Sequence, residues 1–336
     1  MEKQFYGRLS DGREVYTYTA KNDEASFTVS EFGAIITSFK PYGVDIVAGY
    51  DGLDGYLLDT SSQGATIGRV ANRIADATLT IDGAIYMLPQ NNKGNCLHGG
   101  PCFARRLWEA REVGDNFVKL GYYSPDGECG FPHGLDTEVT FTLEGATLII
   151  DYKATPEGKT PIALTNHAYF NLDGFSGGNI LSHKARIWAE NYTAVDGNLI
   201  PTGERPSVEG TVFDFRAERV IGDFPEDFAG YDHNFVLSPT EFREYAGVKV
   251  GLGAAVTNGK LRMNMYTDQP GVQFYTANFL GGEPSFRGGA PRVKHGAYCL
   301  EAQTEPNCVK HGVGLYDAGE VYRQTTVYEV IKETVG

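Results

Sequence analysis

Residues 137–152 read Thr-Glu-Val-Thr-Phe-Thr-Leu-Glu-Gly-Ala-Thr-Leu-Ile-Ile-Asp-Tyr, with Val139, Phe141 and Leu143 alternating with polar neighbours before a glycine. A period of two gathers apolar side chains on one face of a strand, and no helix can do the same with this spacing. The pattern recurs. In residues 77–88, Asp82-Gly83 divides two alternating runs and supplies the two left-handed positions of a tight hairpin turn. Asn258-Gly259 precedes residues 260–266, where Leu261, Met263 and Met265 are expected to face a core and Arg262, Asn264 and Tyr266 to face solvent. Residues 321–331 read as a closing strand. The abundance of Gly (42), Tyr (20) and Phe (19) suits a β-protein. The best helical signal lies at residues 238–245, where Ser238 can cap, Pro239 takes the first position and Glu241 completes a capping box, so a short helix is predicted there. No repeat, low-complexity tract or linker divides the chain. The expectation is an all-β protein, a large antiparallel β-sandwich forming a single domain over residues 1–336.

A net charge of −14 argues against a nucleic-acid partner or an anionic membrane surface, both of which call for a basic face. Residues 1–7 lack the apolar core of a signal peptide, and no run approaches the roughly 18 apolar residues of a membrane span, so the expected location is the cytoplasm. The five cysteines, Cys96, Cys102, Cys129, Cys299 and Cys308, have neither disulfide-like nor metal-like spacing and read as reduced thiols. No structural or catalytic metal is expected. Cys299 shares strand parity with Glu301 and reads as a small buried filler.

Two segments far apart in the chain each place one proton-handling group in a largely apolar extended run. Residues 164–172 carry His167, on the same parity as Thr165, Tyr169 and Asn171, and residues 299–307 carry Glu301, on the parity of Gln303. An imidazole and a carboxylate facing one ligand can move protons at neutral pH without a metal or organic cofactor. The alternatives are a core histidine satisfied by a hydroxyl and a glutamate salt-bridged to an arginine. Gly68-Arg69-Val70-Ala71-Asn72-Arg73-Ile74-Ala75 offers guanidinium forks suited to hydroxyls or carboxylates, and equally suited to structural ion pairs. His98, before Gly99-Gly100-Pro101, sits where the backbone turns sharply. Tyr231-Asp232-His233-Asn234-Phe235 mixes aromatic and polar groups as sugar sites do, although Asp232 could instead cap a turn.

Taken in order, Gly68 to Ile74, Leu97-His98-Gly99-Gly100, Ser124-Pro125-Asp126-Gly127-Glu128, Thr165 to Leu172, Tyr231 to Phe235, Gly271 to Phe279 and Leu300-Glu301-Ala302-Gln303 resemble the successive motifs of the aldose 1-epimerase family. The resemblance implies a β-supersandwich with a sugar groove and no cofactor. By motif position it implies Glu301 as general base, His167 as general acid, and Asn72, Arg73, His98, Asp232 and Gln273 as sugar contacts. The implied partner is a monosaccharide, galactose or glucose, whose α and β anomers interconvert through ring opening. The expected assembly is a monomer or weak homodimer. Departures from the family pattern are Ala277 for a glycine, Asn307 for an aspartate after proline, and Cys102 before Phe103 for a glycine. Three rivals remain: a hexose 6-phosphate mutarotase of the same fold, for which no cationic cluster beyond Arg69 and Arg73 is evident; a glycosidase using Asp232 and Glu301; and a sugar-binding sandwich without catalysis.

Overall fold

The computed structural model describes residues 1–245 and 247–333, and strands make up nearly all of its regular structure. The alternating run forms the hairpin Leu135–Glu144 and Thr147–Pro156, paired without a slip from Leu135↔Pro156 to Glu144↔Thr147. Gly145, at φ 55°, makes the turn. This hairpin lies within a ten-stranded antiparallel sheet, in the order Glu109–Val113, Phe117–Ser124, Leu135–Glu144, Thr147–Pro156, Tyr322–Lys332, Leu261–Thr267, Val248–Thr257, Lys184–Ile187 and Arg219–Val220, with Phe242–Tyr245 also pairing to Val248–Thr257. The closing strand therefore lies in the middle of the sheet, and its loss would separate the two halves. The strands Glu2–Arg8, Glu14–Lys21, Ala25–Ser30 and Ile35–Pro41 form a second antiparallel meander.

A single buried cluster joins these layers. It takes Val139, Phe141 and Ile150 from the large sheet, Phe27, Val29 and Phe39 from the meander, and Phe274, Leu300 and Ala302 from a four-stranded sheet that carries the groove described below. Each large side chain so buried contributes roughly 1.5–3 kcal/mol of transfer free energy, which fixes the layers against one another. The Asp82-Gly83 hairpin forms as expected, with Thr78–Ile81 paired to Ala84–Met87 and φ of 49° and 85° at the two turn residues. No helix among the described residues is long and apolar enough to cross a membrane.

Two expectations are corrected. Residues 238–245 are not helical: Phe242–Tyr245 is a strand paired from Phe242↔Gly251 to Tyr245↔Val248. Two turns of helix are marginal alone, whereas the open edge of a long strand offers a hydrogen-bond ladder and aromatic contacts, with Tyr245 against Tyr266 and Arg243 over the Tyr266 ring. The outer face of Leu261–Thr267 is not solvated either. Tyr266 is 1% exposed and Asn264 8%. Tyr266 joins Ile149, Val250, Leu252 and Val327 in a separate small core, with Trp188 and Tyr245 packed against it, while Asn264 donates to Glu329. The sheet is thus covered on both sides at this point, and an alternating pattern records only the more apolar of two buried faces.

Candidate active site

The strands Ala189–Tyr192, Asp232–Leu237, Gly271–Tyr275 and Cys299–Gln303 form the antiparallel sheet of the groove. Phe235, Phe274, Leu300 and Ala302 point into the core, so alternation turns Asp232, Gln273, Cys299 and Glu301 to the opposite face. A slip of one residue would bury the carboxylates in hydrocarbon, and the apolar face therefore sets the register that pairs Gln273 with Glu301. A groove of about 430 Å³ opens over this face. Hollows beside Tyr42 and beside Arg205 are of similar size, but neither holds a buried carboxylate next to a buried imidazole.

His167 arrives on an extended segment whose backbone bonds are shared between two neighbouring segments. Thr165 and Asn166 pair with Ile67 and Thr66, the His167 N–H donates to Ala65, and Phe170 bonds in both directions to Tyr298. The last pairing places His167 beside the start of the Glu301 strand. His167 Nε2 lies 3.8 Å from Glu301 Oε1, and its Nδ1 lies 3.5 Å from the Cys299 sulfur. Tyr169 stacks on the imidazole at 5.0 Å and 12°.

The motif loops at residues 68–74 and 95–101 meet through reciprocal backbone contacts. The His98 N–H donates to the Asn72 carbonyl (3.0 Å), and the Asn72 N–H donates to His98 Nδ1 (3.2 Å). Both residues are left-handed, at φ 61° and 56°, a conformation that costs roughly 1–2 kcal/mol and persists because the paired loops hold it. Gly99 permits the approach, since a Cβ there would lie 2.4 Å from the Gly68 carbonyl oxygen. An N–H pointing at Nδ1 requires a lone pair, so the neutral His98 ring carries its proton on Nε2. Arg73 is held by Asn92 through its Nε (3.2 Å) and lies 3.7 Å from Asp232, which also accepts from Gln273 Nε2 (2.7 Å).

Burial dominates the electrostatics. Glu301 is 2% exposed, and desolvation, aided by the charge of Asp232 and opposed by Arg73, raises its pKa well above the usual carboxylate range. Desolvation lowers His167 to about 4. His98 is pushed well below 6.5 by burial, then by His167 and Arg73. Glu301 Oε2 has no hydrogen-bond partner within the described protein. A buried carboxylate oxygen left unpaired costs about 1–3 kcal/mol or more, a cost that any hydrogen-bond donor reaching it would offset. His98, His167 and Glu301 offer ligand atoms within 4.8 Å of one another, the one such cluster among the described residues. The proton on His98 Nε2 turns that nitrogen into a donor and makes the trio better suited to hydroxyls than to a cation.

Asn72, Arg73, His98, His167, Asp232 and Glu301 line this one groove, and Gln273 stands behind Asp232 as its hydrogen-bond donor. Glu301 forms no ion pair with an arginine among the described residues, and His167 is in contact with a thiol rather than a hydroxyl. Asp232 accepts from Gln273 and faces Arg73, and among the described residues its side chain accepts from no backbone N–H as a turn cap would. Arg69 lies outside the groove, fully buried, donating to Ser124, Thr160 and the carbonyls of Pro125 and Pro132. Sequence reasoning missed Tyr169 and Tyr275 as lining residues, although Tyr169 shares His167's parity. It also missed Arg292, held 3.5 Å from the buried Asp59 on the groove wall, where an irregular loop carries no periodic signal. Of the departures, Ala277 adopts the left-handed φ (47°) that a glycine would, and Asn307 (φ 63°) accepts the Ala75 N–H through its side chain.

The family model for aldose 1-epimerase matches residues 16–329. The chain belongs to the aldose 1-epimerase family. It is 40% identical to the bovine galactose mutarotase over 326 residues, 94% of each chain, and 40% identical to the human galactose mutarotase over 96% of each. The aldose 1-epimerase of Escherichia coli is 38% identical over 80% of each chain. Among solved structures, an aldose epimerase homologue from C. elegans superposes with a TM-score of 0.86 at 26% identity, covering 95% of this chain and 99% of the other. A galactose 1-epimerase from Lactobacillus acidophilus superposes at 0.87 and 22% identity over 99% of both chains, a likeness of fold.

Proposed function

We propose that this aldose 1-epimerase family member interconverts the α and β anomers of a free aldohexose, galactose or glucose, with Glu301 as base and His167 as acid. The observation that carries the reading is the buried pair itself, with Nε2 and Oε1 3.8 Å apart. That gap exceeds a hydrogen bond and leaves the sugar's C1–O5 edge to bridge it. The Glu301 carboxylate takes the proton from the anomeric hydroxyl and the C1–O5 bond breaks. His167 Nε2 delivers its proton to O5, leaving a free aldehyde. Rotation about C1–C2 presents the other carbonyl face, and the same transfers run backwards to close the ring. The net charge of the pair is zero throughout. Burial raises the Glu301 pKa and lowers that of His167, which removes the bias toward the ionic form that the ordinary values would impose and lets the proton pass either way across the pair. Arg73, Asn72, Asp232 and the His98 Nε2–H hold ring hydroxyls and stabilise charge growing on oxygen. The names of the bovine and human relatives favour galactose as a substrate. Asp232 is already engaged by Gln273 and Arg73, a poor state for the proton-donating carboxyl of a glycosidase.

Polarimetry on freshly dissolved α-galactose and α-glucose tests the reading. Acceleration of the drift in rotation supports it; tight sugar binding without acceleration would instead assign a binding protein.

The pair is active with one proton bound between its members. A second proton enters at the depressed pKa of His167, so the acid limb of kcat/KM is expected near pH 4. An acid limb centred at the ordinary histidine value, about 6.5, would contradict this. A second expectation concerns phosphorylated sugars. Both groove arginines already face carboxylates, Arg73 at 3.7 Å from Asp232 and Arg292 at 3.5 Å from Asp59, and Glu301 and Glu283 also line the cavity. A phosphate dianion therefore meets no free cationic fork, and kcat/KM for the free hexoses is expected to exceed that for their 6-phosphates by about tenfold or more. Equal rates would reassign the substrate class.

A further inference from the structure

The two histidines of the groove have different partners behind them. His98 Nδ1 receives the Asn72 backbone N–H, a group that can only donate, so its ring is a permanent Nε2–H donor. His167 Nδ1 faces the Cys299 sulfur at 3.5 Å. Cys299 and Glu301 lie two residues apart on one face of one strand, and between them they bracket the two nitrogens of a single imidazole.

We propose that Cys299 is a positioning residue whose sulfur accepts the Nδ1–H of His167, holding the neutral ring in the tautomer opposite to that of His98 and leaving Nε2 as the only nitrogen that cycles a proton. This rests on the assignment of His167 as the acid. When Nε2 gives its proton to O5, the ring left behind must keep the proton on Nδ1, and a neighbour that accepts there before and after the transfer requires no rearrangement. His167's own carbonyl also favours a ring proton, and it already receives the Gly64 N–H at 2.8 Å. The choice of sulfur has a consequence. A carboxylate at this position would hold the Nδ1 proton strongly and stabilise the imidazolium, while a thiol is a weak acceptor that orients the ring without doing so. Cys299 is fully buried, and burial together with the charges of Glu301 and Asp232 raises its pKa well above the usual thiol value, so it remains a neutral S–H. Tyr169, stacked at 5.0 Å, keeps the ring plane aligned with both partners.

The test is ¹⁵N NMR of the histidine rings together with anomer-exchange kinetics, in the wild type, Cys299→Ala and Cys299→Ser. In the wild type near pH 7, His98 is expected as the Nε2–H tautomer and His167 as Nδ1–H. Cys299→Ala should move His167 toward Nε2–H and lower kcat on the order of 10–100-fold with KM little changed. Cys299→Ser keeps an acceptor in place and should restore both the Nδ1–H signal and most of kcat. A wild-type His167 in the Nε2–H form, or a Cys299→Ala variant that keeps Nδ1–H and full kcat, would overturn the proposal. If the wild type failed to accelerate anomer exchange, the functional reading would fall, while the ring spectra would still decide whether Cys299 sets the tautomer.

Discussion

Glu301→Gln is expected to lower kcat for anomer interconversion by about 10²–10⁴-fold while leaving sugar affinity within a few-fold of wild type. Glutamine keeps the shape and the hydrogen-bonding volume of the side chain but has no proton-accepting charge. Its neighbours remain satisfied, because Gln273 and Arg73 are bound to Asp232 rather than to Glu301. The substitution also removes a titratable group from a site 2% exposed, where its pKa is raised by desolvation. Thermal stability should therefore be equal to or above wild type, the usual sign of a group retained for function at some cost in folding. Polarimetric rates, calorimetric sugar binding and a melting curve check the three parts separately. A variant with near-wild-type kcat would remove Glu301 from the mechanism.

His167→Asn is expected to reduce kcat by a similar factor, about 10²–10⁴-fold, for a different reason. An amide neither donates nor takes up a proton at any accessible pH, so ring opening would rely on solvent to protonate O5. Here the packing changes as well, since Tyr169 loses its stacked partner and Cys299 the imidazole nitrogen at 3.5 Å. A stability loss of about 1–2 kcal/mol from the smaller side chain is expected. That loss should shift the unfolding midpoint without abolishing the cooperative transition, which circular dichroism would show. The acid limb near pH 4 should disappear from whatever activity remains, because the group responsible for it is gone. Full activity would reassign the acid.

How far these residues could be read from the chain differed with the physics that placed them. The strand Cys299–Gln303 was legible because Leu300 and Ala302 alternate with Cys299, Glu301 and Gln303, and the core takes the first pair. The hairpin at residues 78–87 was legible because Asp82-Gly83 permits few other conformations. Residues 238–245 misled because capping residues describe how a helix could begin, and the ladder offered by Val248–Thr257 is a tertiary fact with no local trace. Tyr266 was assigned to solvent because the cluster that covers it comes from residues as distant as Ile149 and Val327. Ordered motifs lead to Asn72, Arg73, His98, His167, Asp232 and Glu301 in the groove and to Gln273 behind it. Nothing in them led to Arg292 and Asp59, whose approach to 3.5 Å depends on how two irregular loops pack. Cys299 was read as filler. It is as buried as filler should be, and only the position of the His167 ring, set by the Phe170–Tyr298 bridge, gives its sulfur a polar neighbour.

The central claim is that Glu301 and His167 act on one sugar as one device. Exchange rates between anomers at equilibrium, measured by NMR magnetisation transfer for the wild type, Glu301→Gln, His167→Asn and the double variant, test it directly. The account predicts that the double variant is about as slow as the slower single variant, because either loss already disables the shuttle. A double variant whose deficit equals the product of the two single deficits would show that the groups contribute independently and would contradict the account.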